Sequence, residues 1–129
     1  MAIDQNNPNN KDNLPTSNSS GNQSGNSGSN SASAVLIAIA YAIENGADIL
    51  NCSWGSVNYR QSLFDAIEAA REHGIIFTCS AGNDGINSDE IRHYPAGYEL
   101  DNIVSVSAFE RTGEIWAPSN IGELTCDIA

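Results

Sequence analysis

The sequence predicts an α/β protein, and two observations lead to this fold class. From Ser33 onward the chain alternates helix, strand, helix, strand, loop and strand, the order in which right-handed crossovers build a parallel sheet. The predicted strands are apolar at consecutive positions, which is typical of a sheet covered on both faces. We therefore expect a partial, Rossmann-like parallel sheet with flanking helices and a disordered N-terminal arm.

The first 32 residues differ in composition from the rest of the chain. Residues 1–30 contain nine Asn, six Ser and three Gly, and such a segment buries too little apolar surface to offset the entropy lost on ordering. We expect residues 1–32 to form a low-complexity, flexible arm. Residues 33–129 are then expected to fold as a partial domain with a small core.

Each predicted element carries its own local signals. Residues 34–43 are apolar on nearly every side, and Gly46 ends this helix in the left-handed conformation. The second helix is expected to begin with Ser62 as its N-cap and to end before Gly74. Strands are predicted at residues 48–54, 75–79 and 102–108.

The charge balance excludes several classes of partner. Sixteen acidic residues against five basic ones give a formal net charge of −11, and the basic residues are too scattered to form a phosphate-binding surface. We therefore expect no nucleic acid as partner. We also expect no membrane as partner, because no apolar run approaches the ~20 residues that a membrane helix needs. The N-terminus lacks the pattern of a signal peptide, and the compartment stays undetermined.

The cysteines and histidines give no sign of a catalytic or metal site. The three cysteines cannot all pair, and we expect Cys52 and Cys79 to be buried free thiols within strands. His73 falls at the predicted end of a helix, where a cation interacts well with the helix dipole. His93 falls in a loop, where we expect it to face solvent or to bond locally.

Ligands collect at the carboxyl ends of strands in open α/β sheets, and two strands here end in small and polar residues. One end is Ser53-Trp54-Gly55, and the other runs from Ser80 to Gly85 (SAGNDG). The carboxamide of Asn83 is a neutral hydrogen-bond donor suited to charge that appears only in a transition state. A turn residue in the left-handed conformation is the alternative for Asn83. No phosphate-binding Gly motif is present.

Several blocks of the chain resemble, in order and spacing, the subtilase family of serine proteases. The resemblance covers roughly residues 28–129 and implies a subtilisin-type sheet. It also implies a segment of a serine endopeptidase that hydrolyses peptide bonds by acyl transfer, with an extended polypeptide as substrate. The blocks are 38–55 (AIAYAIENGADILNCSWG), 75–85 (IIFTCSAGNDG), 94–108 (YPAGYELDNIVSVSA) and 119–129, with a Gly/Ser-rich lead at 28–34.

The resemblance assigns roles to individual residues. Asn83 matches the family's side-chain oxyanion donor in the Ala-Gly-Asn motif. Ser53, Trp54 and Gly55 match a strand end that pairs with the substrate backbone and forms one wall of the primary specificity pocket. The opposite wall is matched by Ser80-Ala81-Gly82. Two such walls are expected to accept a sizeable apolar side chain, although Trp54 replaces the Leu more usual in the family.

The catalytic triad is missing from the sequence. Subtilases carry the triad in Asp-Ser/Thr-Gly, His-Gly-Thr-His and Gly-Thr-Ser-Met-Ala motifs, and none of these strings occurs in the 129 residues. Because acyl transfer needs Ser, His and Asp in contact, we expect the chain alone to be inactive. It is then either part of a larger endopeptidase or a non-catalytic, subtilase-derived peptide-binding module.

The resemblance implies one candidate cofactor, because subtilases often bind calcium. The acidic residues near the loops are the oxygen donors available, but in a chain this acidic we favour a solvated face over a metal site. The resemblance also implies a secreted parent protein. The candidate oxygen donors are Asp84, Asp89, Glu90, Glu99 and Asp101.

Overall fold

The computed structural model describes residues 27–129, with side chains described from Ser33 onward. Residues 1–26 of the predicted arm lie outside the described residues. The order of elements confirms the predicted α/β class. The elements are α1 (Ser27–Glu44), β1 (Ile49–Cys52), α2 (Gln61–Glu72), β2 (Ile76–Ser80) and β3 (Ile103–Val106).

The ends of the helices follow the predicted signals only in part. Helix α1 begins at Ser27, earlier than the apolar pattern indicates, because Ser, Gly and Asn give no helix signal of their own. Gly46 and Gly74 follow the two helices with φ of 68° and 73°, as predicted.

The N-cap prediction for Ser62 was wrong. Helix α2 begins at Gln61, and its N-cap is Arg60, which is extended and whose own side chain makes no capping bond. The Tyr98 hydroxyl donates to the Arg60 carbonyl at 2.8 Å, so a side chain from 38 residues away fixes this end of the helix. A local capping pattern does not detect such a contact.

The three strands form one parallel sheet in the order β1-β2-β3. Its register pairs Cys52 with Cys79 and Phe77 with Ile103. One face of the sheet packs against both helices, and this layer is the core of the molecule. The core side chains include Leu50, Cys52, Phe77, Cys79 and Ile103 from the sheet, and Ile39, Ala42, Leu63, Ile67 and Ala70 from the helices.

The opposite face of the sheet is not covered by the part of the chain that the structure describes. Ile49, Ile76 and Val106 on this face are 54, 44 and 37% exposed. The prediction of a sheet covered on both faces was therefore wrong for residues 27–129. The strands are apolar at consecutive positions because both faces carry apolar side chains, although only one face packs against helices.

The cysteine prediction is confirmed, since Cys52 and Cys79 are buried free thiols. Burial raises the pKa of the Cys52 thiol to about 12 and raises the pKa of the Cys79 thiol further still. Both are therefore neutral, small apolar side chains at physiological pH.

Residues 27–129 contain no helix both long and apolar enough to cross a bilayer.

Candidate active site

The sheet brings the two predicted substrate-binding segments together. Because β1 and β2 are parallel and pair Cys52 with Cys79, the segments that follow them leave the same edge of the sheet. We call Ser53-Trp54-Gly55 the first edge and Ser80-Ala81-Gly82 the second edge. Their relative position is the one expected from the sequence.

The first edge has free backbone groups. Within residues 27–129 neither Trp54 nor Gly55 makes a backbone hydrogen bond. The next residue, Ser56, pairs antiparallel with Tyr94 through bonds of 2.9 and 2.7 Å, which fixes the direction of the segment. An edge with free backbone groups of this kind is a template for pairing with another chain.

The loop after β2 presents Asn83 to a cleft. Asn83 is exposed, and its carboxamide makes no hydrogen bond to the residues that the structure describes. Together with Ser53, Ser80 and Gly82 it lines a cleft of about 280 Å³. The carboxamide is therefore free to donate to a group bound in the cleft.

A buried Asn that the sequence analysis did not single out holds this loop in place. Asn120 is fully buried and donates from Nδ2 to the Ala81 carbonyl at 2.9 Å. Its Oδ1 accepts from the backbone N–H of Asp84 at 2.9 Å and of Ile86 at 3.2 Å. One side chain thus fixes both ends of the segment that carries Asn83.

Gly82 is required at its position for two reasons. Its φ is +112°, a conformation that side chains rarely adopt. A Cβ built on Gly82 would also collide with the Asn120 amide nitrogen. The glycine thus lets Asn120 approach the loop closely enough to make its three side-chain bonds.

The prediction that His93 faces solvent or bonds locally was wrong. The side chain is only 7% exposed, and its Nδ1 has no hydrogen-bond partner among the described residues. Nε2 lies 4.0 Å from the carboxylate of Asp84. The imidazole reaches across to the loop after β2, a contact between distant segments that the local sequence does not reveal.

An aromatic cluster anchors the segment that carries His93. The Tyr94 and Tyr98 rings lie 4.8 Å apart between centroids, and Tyr59 meets both edge-on at 5.2 and 5.3 Å. Such contacts add to the burial of the rings. Beside this cluster Trp54 lines a second cavity of about 290 Å³.

The other histidine has the structural role that was predicted. His73 lies at the C-terminus of α2, where its Nδ1 is 2.9 Å from the Ala69 carbonyl oxygen. Strand β2 (Ile76–Ser80) separates it from the second edge, so it lies at the opposite end of the sheet.

The candidate calcium ligands do not gather into one cluster of side chains in the described residues. No group of three or more His, Cys, Asp or Glu side chains in residues 27–129 is arranged to hold a metal ion. Glu99 pairs with Arg92 at 2.9 Å, and Asp101 lies 3.7 Å from Arg71.

Asp89 has a structural role of its own. Its carboxylate accepts from the Thr125 hydroxyl and the Glu123 N–H, each at 2.8 Å, and from the Leu124 N–H. Desolvation raises the pKa of Asp89, but these hydrogen bonds outweigh it and hold the pKa below its usual value. The ionised carboxylate ties the loop after Asn83 to the C-terminal segment.

Two solved structures that share this fold are proteases by name. The chain matches the prenylagaramide maturation protease PagA with a TM-score of 0.58 and 31% identity, over 69% of this chain and 32% of that one. It matches a lanthipeptide protease with a TM-score of 0.59 and 28% identity, over 68% and 30% of the two chains.

Curated relatives give the same result. Fervidolysin of Fervidobacterium pennivorans is 37% identical over 79 residues, which are 61% of this chain and 11% of fervidolysin. Subtilisin DY of Bacillus licheniformis is 33% identical over 89 residues, which are 68% of this chain and 32% of that protein. The chain therefore spans between about a tenth and a third of the length of these relatives.

The parallel sheet, its relatives and its structural neighbours define a segment of a subtilisin-like serine protease. The model of the Subtilase family matches residues 1–128, and the chain belongs to this family. The resemblance seen in the sequence blocks is confirmed.

Proposed function

We propose that this chain is a segment of a serine endopeptidase that hydrolyses peptide bonds by acyl transfer, with Asn83 as a donor to the oxyanion. The observation that carries the proposal is the free Asn83 carboxamide over the cleft. No existing hydrogen bond to residues 27–129 has to break before it donates. Because Asn120 braces both ends of the loop, the donor is held ready for the developing charge.

The substrate in this proposal is a polypeptide in extended conformation. The unpaired N–H and C=O groups of Trp54 and Gly55 can bond to it as they would to an added strand. The second edge, Ser80-Ala81-Gly82, faces the substrate from the other side. Main-chain bonding of this kind gives affinity without demanding a particular sequence.

The nucleophile and its base come, in this proposal, from segments other than these 129 residues. None of the three triad motifs occurs in the chain, and neither histidine replaces the catalytic base. His73 is used at the end of α2, and His93 makes no hydrogen bond to a hydroxyl among the described residues. We therefore expect the 129-residue chain alone not to hydrolyse peptides.

A peptide-binding module without catalysis is the second candidate. The free backbone of the first edge favours it, because strand addition needs only the edge and no triad. The two candidates share the same substrate-binding surface. They differ in whether the protein that contains this chain forms an acyl-enzyme.

The shared surface is tested by NMR on the 129-residue chain. We expect an acetylated tetra-alanine peptide to shift the backbone amide signals of Trp54 and Gly55 and the side-chain amide of Asn83. The side-chain amide of Asn45, which bonds to the Tyr41 carbonyl at the end of α1, is the internal control. The absence of shifts at the first edge at millimolar peptide would contradict both candidates.

Labelling with a fluorophosphonate probe separates the two candidates. The probe reacts with an activated serine, so the complete gene product that contains this chain is labelled if it is an endopeptidase. Peptide binding without labelling of the complete product would favour the binding module.

A further inference from the structure

The imidazole of His93 lies between Gly55 of the first edge and Gly82 of the second edge. A Cβ built on Gly55 in the first edge would lie 2.7 Å from His93 Nδ1 and closer still to Cε1. A Cβ built on Gly82 in the second edge would lie 3.2 Å from the same Cε1. The ring therefore touches both glycines at once.

This position argues against the expectation that a sizeable apolar side chain fits between Gly55 and Gly82. Gly55 and Gly82 have no side chains, and the imidazole of His93 occupies the volume that their side chains would take. His93 is only 7% exposed as a residue, so the surrounding chain already encloses it. Forcing a second ring into a well-packed site is strongly unfavourable.

We propose that His93 restricts the substrate residue on the acyl side of the scissile bond to a short side chain, of the Gly, Ala or Ser class. The inference rests on the proposed function, because it takes the two edges as the walls that receive this residue. It goes beyond that function by naming a residue that sets the specificity. Large aromatic and branched side chains are excluded by the volume of the imidazole.

The bonding of His93 makes the inference testable by substitution. Nδ1 has no hydrogen-bond partner among the described residues, and Nε2 faces only the exposed carboxylate of Asp84 at 4.0 Å. His93→Ala therefore removes the ring without leaving a buried partner unpaired. The space that opens is the volume of the imidazole, which gives a planar side chain room to enter.

The experiment measures peptide binding by the 129-residue chain. Four acetylated tetrapeptides with identical first three residues end in Ala, Ser, Leu or Phe, and the amide signals of the edges report binding. We expect wild type to bind the Ala and Ser peptides at least about tenfold more tightly than the Phe peptide. In His93→Ala we expect the affinity for the Phe peptide to rise at least about tenfold, because the Phe side chain then enters the opened space.

The chain has only two histidines, which supplies a matched control and a direct signal. His73→Ala should leave the order of the four peptide affinities unchanged, since His73 lies at the end of α2. In wild type the Cε1–H signal of His93 should shift when the Ala peptide binds, while that of His73 stays in place.

The outcomes separate this inference from the proposed function. If no peptide perturbs the first edge, the proposed function fails and the inference fails with it. If peptides bind at the edges but the wild-type chain binds Phe as tightly as Ala, the inference alone is overturned. Should His93→Ala not fold, the wild-type order and the His93 signal still decide the matter.

Discussion

Replacement of Asn120 by Ala should strongly destabilise the chain, because this one side chain braces the loop of Asn83. The change leaves the buried carbonyl of Ala81 without a donor, at a cost of about 1–3 kcal/mol. It also removes the acceptor for two N–H groups, each worth about 0.5–1 kcal/mol near the surface. We expect the free energy of unfolding to fall by roughly 2–5 kcal/mol, a large part of a typical domain's stability.

Urea unfolding followed by tryptophan fluorescence measures this loss. Asn120→Asp is the informative second variant, since it keeps an oxygen for the two N–H groups but places a second oxygen, in place of the donor, against the Ala81 carbonyl. Asn45→Ala is the control, because Asn45 is exposed and bonds only to the last turn of α1. If Asn120→Ala is no more destabilising than Asn45→Ala, the bracing role is refuted.

Three further predictions concern other parts of the molecule. Gly82→Ala should lower the free energy of unfolding by about 2–4 kcal/mol, through its φ of +112° and the collision with the neighbouring amide; an unchanged urea midpoint would contradict this. Iodoacetamide at pH 8 should modify Cys126 alone in the folded chain, since burial raises the pKa of both strand thiols. Mass spectrometry should then find one adduct before urea and three after it; several adducts at equal rates on the folded chain would be the opposite result. Folding lowers the pKa of Asp89, so its carboxylate stabilises the folded chain at any pH above the unfolded pKa of about 3.9. This contribution is lost as the pH falls through the lower pKa of the folded state. Asp89→Asn should therefore be less stable than wild type at pH 7 and approach it below about pH 4; a stability difference that is constant with pH would argue against the role of these hydrogen bonds.

The sequence predicts the elements of the sheet well, because their signals are local. The runs that contain Leu50, Phe77 and Ile103 are apolar and bounded by Gly or polar residues, and each forms a strand. The loop of Asn83 follows from its position after a buried strand and from its resemblance to a known motif. Both features depend on residues that are neighbours along the chain.

The parts that were missed depend on contacts between distant residues. Asn120 bonds to Ala81 across 39 positions of the chain, and nothing near Asn120 in sequence indicates that its side chain turns toward the loop. His93 precedes Tyr94-Pro95 in a polar stretch that is typical of a solvent-facing turn. Its burial follows from the antiparallel pairing of Tyr94 with Ser56, which carries the imidazole between the two edges.

The exposed face of the sheet shows a further limit of sequence patterns. Consecutive apolar positions indicate that both faces of a strand are apolar, but they do not identify which segment covers each face. In residues 27–129 the helices cover only the face that carries Leu50 and Phe77. The pattern predicted the chemistry of the strands correctly and their surroundings only in part.

The most direct test of the account is the effect of Asn83→Ala on kcat in the complete gene product that contains this chain. Removal of the corresponding donor lowers kcat by about 10²–10³ in subtilisin, a value taken from that enzyme and not worked out from this structure. We expect a fall of the same order with little change in KM, while Asn87→Ala, an exposed neighbour in the same loop, leaves kcat unchanged. A kcat for Asn83→Ala equal to that of Asn87→Ala would contradict the role of Asn83 as the oxyanion donor.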